Sequence, residues 1–524
     1  MNLVGSPALT TDVRLGAGRP VRTGSRSSFH PVAEIAGEPH LVRTELVRGG
    51  PTAHDVSALE GPLVCVAHIT DLHVIDVQSP ARFEFVNREW EDPRFRELLT
   101  MQRPHEAINT HAIDSMIQTI NRLGEGPLTR APLELLVMTG DSVDNTQRNE
   151  LRNFLALMDG GAVRPDSGVL GYEGVQATTW PGDFYWKPDG APEGDIFQSG
   201  FGFPYVPGLL EMAMQQFQVE GLKLPWLGCY GNHEEVCQGV GMVTAGLTQG
   251  MAGSRKAFAL PEGIDADTAV ELFIRSPEAF MTGPAFHVSA DPERRPINRR
   301  DLVATYLAGG GHGFTEANLE HGTAYYVHDT PRVRFITLDT VCGAGGADGN
   351  VDAAQLAWLE DQLEAVHSAY TGRDGATVRT SNEDRLVVVL SHHGLDTLTN
   401  PRGVRGGDEL LDILHRFQNV VLWLNGHIHA NHITPRPDPR GGQGFWEVTT
   451  SSIVDWPCQA RLVEMFNLPG GNLAIGCTML DHSGGELAGL HRELAANVPF
   501  RGFDTWHQGD VEDRNVILLL RRPF

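Results

Sequence analysis

The sequence predicts an α/β fold, because short apolar runs typical of strands alternate with segments that carry apolar residues at helical spacing. The composition agrees with a sizeable core, since 41% of the 524 residues are hydrophobic and 20% are charged. Asp, Asn and His residues follow several of the apolar runs directly. Parallel strands open their carboxyl ends on a common crevice, so we expect these polar side chains to meet there.

The predicted elements follow one another in regular alternation. Residues 62–70 predict a buried strand, and residues 108–120 predict a helix that stops at Gly124. Further strands are predicted over residues 133–139, 224–230, 324–328, 333–339, 386–390, 420–424, 445–450, 473–480 and 516–520. Further helices are predicted over residues 149–158, 211–220 and 352–367.

Two stretches break the alternation, at about residues 160–207 and 236–322. The first is crowded with Gly, Pro, Asp and aromatic residues, and the second ends near the glycine-rich run 309–313. We interpret both as insertions, which near an active site often act as lids or substrate walls. The sequence thus predicts a partly mobile N-terminal extension over residues 1–58 and one domain over residues 59–524.

The charge balance excludes some partners. Lys and Arg number 41 against 66 Asp and Glu, which gives a formal charge of −25. A field of this sign disfavours nucleic acids and anionic membranes. No stretch is long and apolar enough to cross a bilayer, and the start lacks the apolar region of an export signal. We therefore expect a cytoplasmic protein with a small substrate; its oligomeric state cannot be read from one chain.

Five short polar segments follow predicted strands in a fixed order, and only together are they informative. Asp, Asn and His suit divalent Mn, Fe or Zn, whereas structural zinc usually relies on thiolates, which these segments lack. Two cations about 3.5 to 4 Å apart can activate a water and stabilise the oxygens of a phosphate ester. Such a pair needs a shared anion, and Asp141 on its turn is the natural bridge. The segments are Asp71-Leu72-His73, Gly140-Asp141, Gly231-Asn232-His233-Glu234, Ser391-His392-His393 and Gly426-His427-Ile428-His429.

The same segments resemble the pattern of the calcineurin-like metallophosphoesterases, which is D-x-H, G-D, G-N-H-D/E, H and G-H-x-H, over about residues 62–482. The resemblance implies a four-layer α/β/β/α sandwich of two mixed sheets. It also implies two divalent metal ions, with manganese favoured over iron or zinc. One ion would be held by Asp71, His73, Asp141 and His429, and the other by Asp141, Asn232, His392 and His427.

The resemblance also implies roles beyond metal binding. His233 would be catalytic and reach the substrate as a general acid or a stabiliser of the transition state, with Glu234 as its supporting partner. His392 is preferred to His393 as the ligand, because in similar proteins the first His after the strand binds metal. For Asp455, which precedes Trp456-Pro457, a packing or turn role is favoured.

Departures from known subfamilies narrow the expected function. Asn145 and Thr146 replace the Arg-Gly of protein phosphatases, and Asp144, which with Asn145 is expected to orient the loop of Asp141, replaces the Tyr of purple acid phosphatases. We predict a small-molecule phosphodiesterase that works by in-line attack of a metal-bridging hydroxide. The alternatives are a phosphomonoesterase and a non-catalytic binding or scaffold protein that keeps the fold. Substrate-binding residues are not assigned.

Overall fold

The computed structural model describes residues 8–47, 59–191, 194–404, 406–499, 502–503 and 505–524. Residues 1–7 and 48–58 of the predicted N-terminal extension lie outside these ranges, together with the boundary predicted at residue 58. The predicted mobility of the extension and the domain division therefore stay predictions. Across the described ranges, every helix is too short or too polar to cross a membrane.

The described residues form 24 strands. In chain order they are β1 Ala8–Leu9, β2 Val13–Ala17, β3 Arg22–Thr23, β4 Ser28–Phe29, β5 Val32–Ala36, β6 Leu41–Arg43, β7 Pro62–Ile69, β8 Leu135–Met138, β9 Gly161–Val163, β10 Phe217–Val219, β11 Trp226–Gly228, β12 Arg255–Ala257, β13 Ala285–His287, β14 Tyr326–Asp329, β15 Val333–Thr337, β16 Ala369–Thr371, β17 Thr377–Arg379, β18 Leu386–Leu390, β19 Val420–Asn425, β20 His432–Arg436, β21 Phe445–Thr449, β22 Gln459–Leu468, β23 Asn472–Asp481 and β24 Val516–Arg521.

The described α-helices number 13. They are α1 Asn109–Leu123, α2 Arg148–Asp159, α3 Ile196–Phe201, α4 Leu209–Ala213, α5 Asn232–Glu235, α6 Ala245–Met251, α7 Ala269–Arg275, α8 Arg299–Gly309, α9 Glu316–His321, α10 Ala353–Glu364, α11 Gly407–Arg416, α12 Glu486–Ala496 and α13 Thr505–Gln508. Short 3₁₀ helices cover Glu84–Glu89, Pro93–Leu98, Glu106–Ile108, Pro277–Thr282, Pro292–Arg294, Leu395–Thr397 and Val511–Asp513.

Two large mixed sheets carry the architecture. The first has the order β11-β8-β7-β22-β23-β24-β6, with β1 paired to β23, and its strands β7, β8 and β11 run parallel. The second has the order β14-β15-β18-β19-β21-β20, and its strands β15, β18, β19 and β21 run parallel. Two of the described N-terminal strands, β1 and β6, thus belong to the first sheet.

The hydrophobic core joins the two sheets. One cluster contains Val66 and Leu462 of the first sheet and Val388 and Leu422 of the second, together with the apolar faces of α1 and α2. Alternate residues of the second sheet, such as Val387, pack instead against α10 and α11. Because side chains alternate between the faces of a strand, the second sheet is covered on both sides. The predicted α/β class is confirmed, while the four-layer order stays a prediction.

The long stretch after β11 builds a core of its own. Buried residues from segment 237–281 pack with buried residues from segment 81–101, which precedes α1. Residues 236–322, predicted as an insertion, therefore contain α6 to α9 and the hairpin of β12 and β13. This second core supports one side of the crevice described below.

One predicted element is wrong in part. The helix expected over residues 211–220 is replaced by the shorter α4 and by β10, which pairs antiparallel with β9. The pairing partner β9 directly follows α2, so a distant contact decides the conformation of residues 217–219.

Candidate metal centre

The five polar segments lie at the carboxyl ends of five parallel strands. Asp71 and His73 follow β7, Asp141 follows β8, and Asn232 opens α5 after β11. The remaining His residues, at positions 392, 427 and 429, follow β18 and β19 of the second sheet. Both sheets therefore deliver side chains to one crevice, as the sequence predicts for parallel strands.

Asp141 occupies the middle of this cluster. Its Oδ2 atom lies 3.1 Å from Nε2 of His392 on the second sheet and 3.8 Å from Nε2 of His73 on the first. Its Oδ1 atom accepts a hydrogen bond from the backbone N–H of His233 at 3.0 Å. A carboxylate oxygen placed between imidazoles from two sheets has the position that a bridging ligand needs.

Three side chains gather on one side of Asp141. Oδ1 of Asp71 lies 3.4 Å from Nε2 of His429 and 4.0 Å from Nε2 of His73. The two imidazole Nε2 atoms of His73 and His429 face each other at 3.1 Å. These three residues form one of the groups whose ligand atoms lie close enough together to hold a metal ion.

On the other side, His392 and His427 approach each other, with ring centroids 5.1 Å apart. Nδ1 of His392 donates to the carbonyl of Thr139 at 2.8 Å, so Nε2 is the ring nitrogen that faces Asp141. The amide nitrogen of Asn232 donates to the carbonyl of Gly239 at 2.9 Å, so the side-chain oxygen is left over. Nε2 of His392 and Oδ1 of Asn232 are therefore the atoms that could bind a metal ion through nitrogen and oxygen.

Buried side-chain atoms that lack a hydrogen-bond partner show whether the residues could hold metal ions. Within the described ranges, Oδ1 of Asp71, Oδ1 of Asn232 and Nε2 of His392 are buried and accept no hydrogen bond. Buried polar atoms normally have partners, and each exception needs an explanation. Divalent cations bound by these atoms explain all three, so the residues fit the metal pair that the sequence predicts. The ligand set itself stays a prediction.

The backbone of the segments is unusual. Asp71, His73, Asp141, His427 and His429 all have positive φ, between 47° and 71°. This left-handed conformation is uncommon for residues with a side chain and costs free energy, and it is concentrated at functional sites. Five of the seven predicted ligands share it, so the loops hold these side chains in the crevice against local preference.

Charge interactions are strong in this buried cluster. Burial alone would lower the pKa of His392, but the carboxylates of Asp141 and Asp71 and the carbonyl of Thr139 raise it to about 9. Burial alone would raise the pKa of Asp71, but His429 and His392 lower it to about 2. The carboxylates therefore favour positive charge beside them, which again fits cations between these side chains.

His233 lies at the edge of the cluster, with 18% of its side chain exposed. Its Nδ1 atom donates to the backbone carbonyl of Asp144, and its Nε2 atom lies 3.9 Å from Oδ2 of Asp141. The carbonyl fixes the ring and directs Nε2 toward the crevice. His233 thus has the position expected for a group that contacts a substrate rather than for a buried ligand.

Glu234 has a different role from the one implied by the resemblance. Its carboxylate accepts hydrogen bonds from the backbone N–H groups of Gly231, Asp141 and Ser142 at 2.8, 3.0 and 2.6 Å, and from the Ser142 hydroxyl. These contacts of its carboxylate therefore fix the loop that carries Asp141, whereas the ring of His233 is held by the backbone carbonyl of Asp144.

Asp455 is a functional candidate that the sequence did not reveal, since a packing or turn role was expected. Its carboxylate accepts from Nδ1 of His429 at 2.6 Å and from the Arg103 guanidinium at 2.7 and 3.0 Å. A carboxylate behind a histidine fixes the tautomer that leaves Nε2 for a metal ion. The signal missing from the sequence was the pairing with His429, which lies 26 residues away.

His393 lies beside His392 but faces another way. Nδ1 of His393 contacts the Thr340 hydroxyl at 2.9 Å, and Nε2 contacts the carbonyl of Ala347 at 2.9 Å. Its ring is also 4.4 Å from the ring of His427, and the three histidines could form a metal-binding group. Because both ring nitrogens of His393 have protein partners, the contacts favour His392 as the ligand.

A cleft of about 310 Å³ opens above the cluster. Its floor contains His73, Asp141, Asn232, His427 and His429, and His233 and Asp144 also border it. Segments 97–103, 238–240 and 506–507 form its sides. Cavities of about 300 to 1,000 Å³ typically receive small molecules, so the centre is open to a ligand of that size.

Comparison with known families gives a match over part of the chain. The sequence model of the calcineurin-like phosphoesterases matches residues 192–431, which include the segments of Asn232, His392 and His427. The structure brings Asp71 and Asp141, from outside the match, to the same crevice. Residues 192–431 therefore match the calcineurin-like phosphoesterases, and the predicted resemblance is confirmed over this segment.

Individual relatives are more distant. A probable cyclic nucleotide phosphodiesterase of Synechococcus sp. (strain WH7803) is 29% identical over 138 residues, which are 25% of this chain and 45% of that protein. The chain thus spans less than half of that relative. Among solved structures, a dimetal phosphatase from Danio rerio is 10% identical with a TM-score of 0.36, covering 80% of this chain and 100% of that one. A sulfate thiohydrolase of Thermus thermophilus is 12% identical with a TM-score of 0.28, covering 83% and 61%. At these TM-scores the two structures add nothing to the family match.

Proposed function

We propose that the protein is a hydrolase of phosphate esters that depends on two divalent metal ions, with small phosphodiesters as its preferred substrates. The observation that supports this most is the buried group of Asp71, Asp141 and His392, whose ligand atoms lie within 4.8 Å of one another. This group lies beside an open cleft that Asp141 and Asn232 line. The family match over residues 192–431 supports the same class of reaction. A small cleft and a charge of −25 favour a small substrate over a nucleic acid.

The residues divide the work as follows. Asp71, His73, Asp141 and His429 would hold one ion, and Asp141, Asn232, His392 and His427 the other. When bound, two such ions polarise a phosphoryl oxygen and lower the pKa of a shared water, which is the chemistry expected for in-line attack by hydroxide. The protein itself supplies the fixed geometry and the charge that keep this set together.

His233 completes the site. The Asp144 carbonyl holds Nδ1, so Nε2 faces the cleft and can give a proton to the ester oxygen that leaves. The partial exposure of His233 allows contact with a bound ester, whereas the predicted ligands His392 and His429 are buried. His233 would therefore affect turnover without affecting metal content.

Metal content tests the centre. Protein loaded with Mn²⁺, Fe²⁺ or Zn²⁺ is expected to retain about two ions per chain, measured by mass spectrometry after gel filtration. His392→Ala should lower this content, and His393→Ala is the matched control because it removes the same side chain from the next position. Loss of metal in His393→Ala alone would show that the ligands are wrongly assigned, and wild-type protein that binds no divalent ion would refute the proposal.

Turnover tests the reaction. Metal-loaded protein should hydrolyse bis(p-nitrophenyl) phosphate with a higher kcat/KM than p-nitrophenyl phosphate. The reverse order would identify a phosphomonoesterase, and absence of turnover of both esters with any divalent ion would favour a binding or scaffold protein. His233→Ala should lower kcat by about 100-fold or more while metal content stays unchanged, as expected for loss of a proton donor.

A further inference from the structure

One large aromatic side chain on the rim of the cleft has no role in the proposed centre. Trp506, in the short helix α13, is 61% exposed and borders the same cleft as His73, Asp141 and His429. It lies outside the segment that matches the family. Exposing a large apolar surface to water is unfavourable, so an aromatic ring at the mouth of a polar site suggests contact with a ligand.

The backbone beside Trp506 is fixed to the metal-binding loop. The N–H of Asn431 donates to the carbonyl of His507 at 3.0 Å, and the Asn431 side chain donates to the carbonyl of Gln508 at 3.2 Å. Asn431 itself follows the predicted ligand His429 by two residues. The indole is therefore held close to the centre by an anchored backbone.

Part of the cleft wall is also apolar, beside the polar side chains of Glu97, Thr100, Arg103 and Gln238. Leu98, Leu99 and Val240 border it, and the backbone of the neighbouring Met101 is held by three side chains. Asn87 accepts from its N–H at 2.8 Å, while Arg82 and Gln238 donate to its carbonyl at 2.8 and 3.1 Å. This wall, defined by residues 98–101 and 240, is thus preformed rather than free to close.

The charges of the cleft argue against a substrate with several phosphates. Among the described residues that line it, Arg103 is the one Lys or Arg side chain, and it is buried against Asp455 and Glu106. Glu97 adds a negative charge on the rim. Beyond the centre itself, the lining therefore offers apolar surface and no available cation for a second phosphate.

We propose that Trp506 stacks on a flat, uncharged aromatic group attached to the phosphate of the substrate, with Leu98, Leu99 and Val240 packing around that group. The inference depends on the proposed function for the identity of the phosphate site and adds the chemical class of the ester group. Stacking between an aromatic side chain and a flat ring depends little on the ring's identity, so the ring can be a nucleobase or a simple aryl group.

Binding of matched pairs of phosphate compounds tests this proposal. Calorimetry on the Mn²⁺-loaded full chain compares phenylphosphonate with methylphosphonate, and thymidine 5′-phosphate with ribose 5-phosphate. Wild-type protein should bind the aromatic member of at least one pair more tightly. Trp506→Ala should reduce that preference by about fivefold or more, whereas Trp506→Phe, which keeps a flat ring, should retain most of it. The pair with the larger loss identifies aryl or nucleoside as the source of the ring.

Trp90→Ala is the matched control, since Trp90 is 46% exposed but does not line the cleft. It should leave both preferences unchanged. The proposal is overturned if wild-type protein shows no aromatic preference in either pair, or if Trp506→Ala weakens methylphosphonate binding as much as phenylphosphonate binding. The phosphonate pair has no ester bond to hydrolyse, so its result is separate from turnover. If the protein hydrolyses no ester but still prefers the aromatic compounds, the proposed reaction is refuted while the proposed stacking role of Trp506 stands.

Discussion

Replacing Glu234 by Gln would remove the anion that holds the loop of Asp141. The carboxylate accepts from two backbone N–H groups through Oε2, those of Gly231 and Asp141, and from Ser142 and Val143 through Oε1. An amide has one oxygen, and its NH₂ group would face donors that it cannot satisfy. At least two hydrogen bonds to a buried group are therefore lost.

The size of the effect follows from these bonds. Hydrogen bonds to charged groups contribute about 1.5 to 3 kcal/mol each, so two of them give about 3 to 6 kcal/mol. Burial and the nearby Asp141 carboxylate raise the pKa of Glu234, so its negative charge is unfavourable at this position. The neutral amide removes that charge, which offsets part of the loss. We expect a net loss of about 3 kcal/mol, which for a chain of 524 residues lowers Tm by about 3 °C.

Calorimetry of the Glu234→Gln protein at pH 8 measures this shift. Glu235→Gln makes the same change one residue further on, where the carboxylate accepts from the Tyr230 hydroxyl at 2.5 Å and lies 3.7 Å from Arg299. The amide oxygen can still accept from Tyr230, so the control should lose less than about 1 kcal/mol. Equal Tm shifts in the two variants would refute the role of Glu234 as the anchor of the loop.

Three further predictions concern the same centre. Gly239→Ala should reduce turnover sharply, because φ of Gly239 is +71° and an added Cβ would lie 2.2 Å from Nε2 of His233; unchanged kcat would contradict this placement. Asp455→Asn should weaken Mn²⁺ binding by about 10- to 100-fold in equilibrium dialysis, since the support of His429 is altered, and an unchanged Kd would argue for a packing role. Removal of metal by EDTA should lower Tm, and added Mn²⁺ should restore it; a Tm indifferent to both would count against a buried metal pair.

The sequence predicted the strands that carry the candidate ligands because those strands are continuous apolar runs. Strands β7, β18 and β19 begin and end within one residue of the predicted positions. Each is followed closely by the polar segment expected there. Apolar runs of this kind are typical of strands buried on both faces, so local composition is sufficient to find them.

Strand β22 was not predicted, although it lies at the centre of the first sheet. It contains Arg461 and Glu464, which interrupt the apolar pattern but are buried in the structure. Arg461 donates to Thr450 and to the backbone carbonyls of Asp513 and Arg514. Asp513 and Arg514 lie 52 and 53 residues from Arg461 in the sequence, so no local signal could show that this charge has partners.

The sequence equally failed to show which side chains support the candidate ligands. The resemblance implied that Glu234 supports the neighbouring His233. A short helix starting at Asn232 turns the Glu234 carboxylate back toward the loop of Asp141 instead. The direction of a side chain depends on the local backbone, which a motif does not specify.

The left-handed backbone at five of the candidate ligands limits how this centre could be rebuilt elsewhere. A designer who transfers only the side chains to new strands would lose the turns that aim them, and β-branched substitutes would be especially costly at such φ values. Asn adopts this conformation more readily than most residues. Asp71→Asn and Asp141→Asn therefore offer a way to remove charge from the centre while its turns are retained.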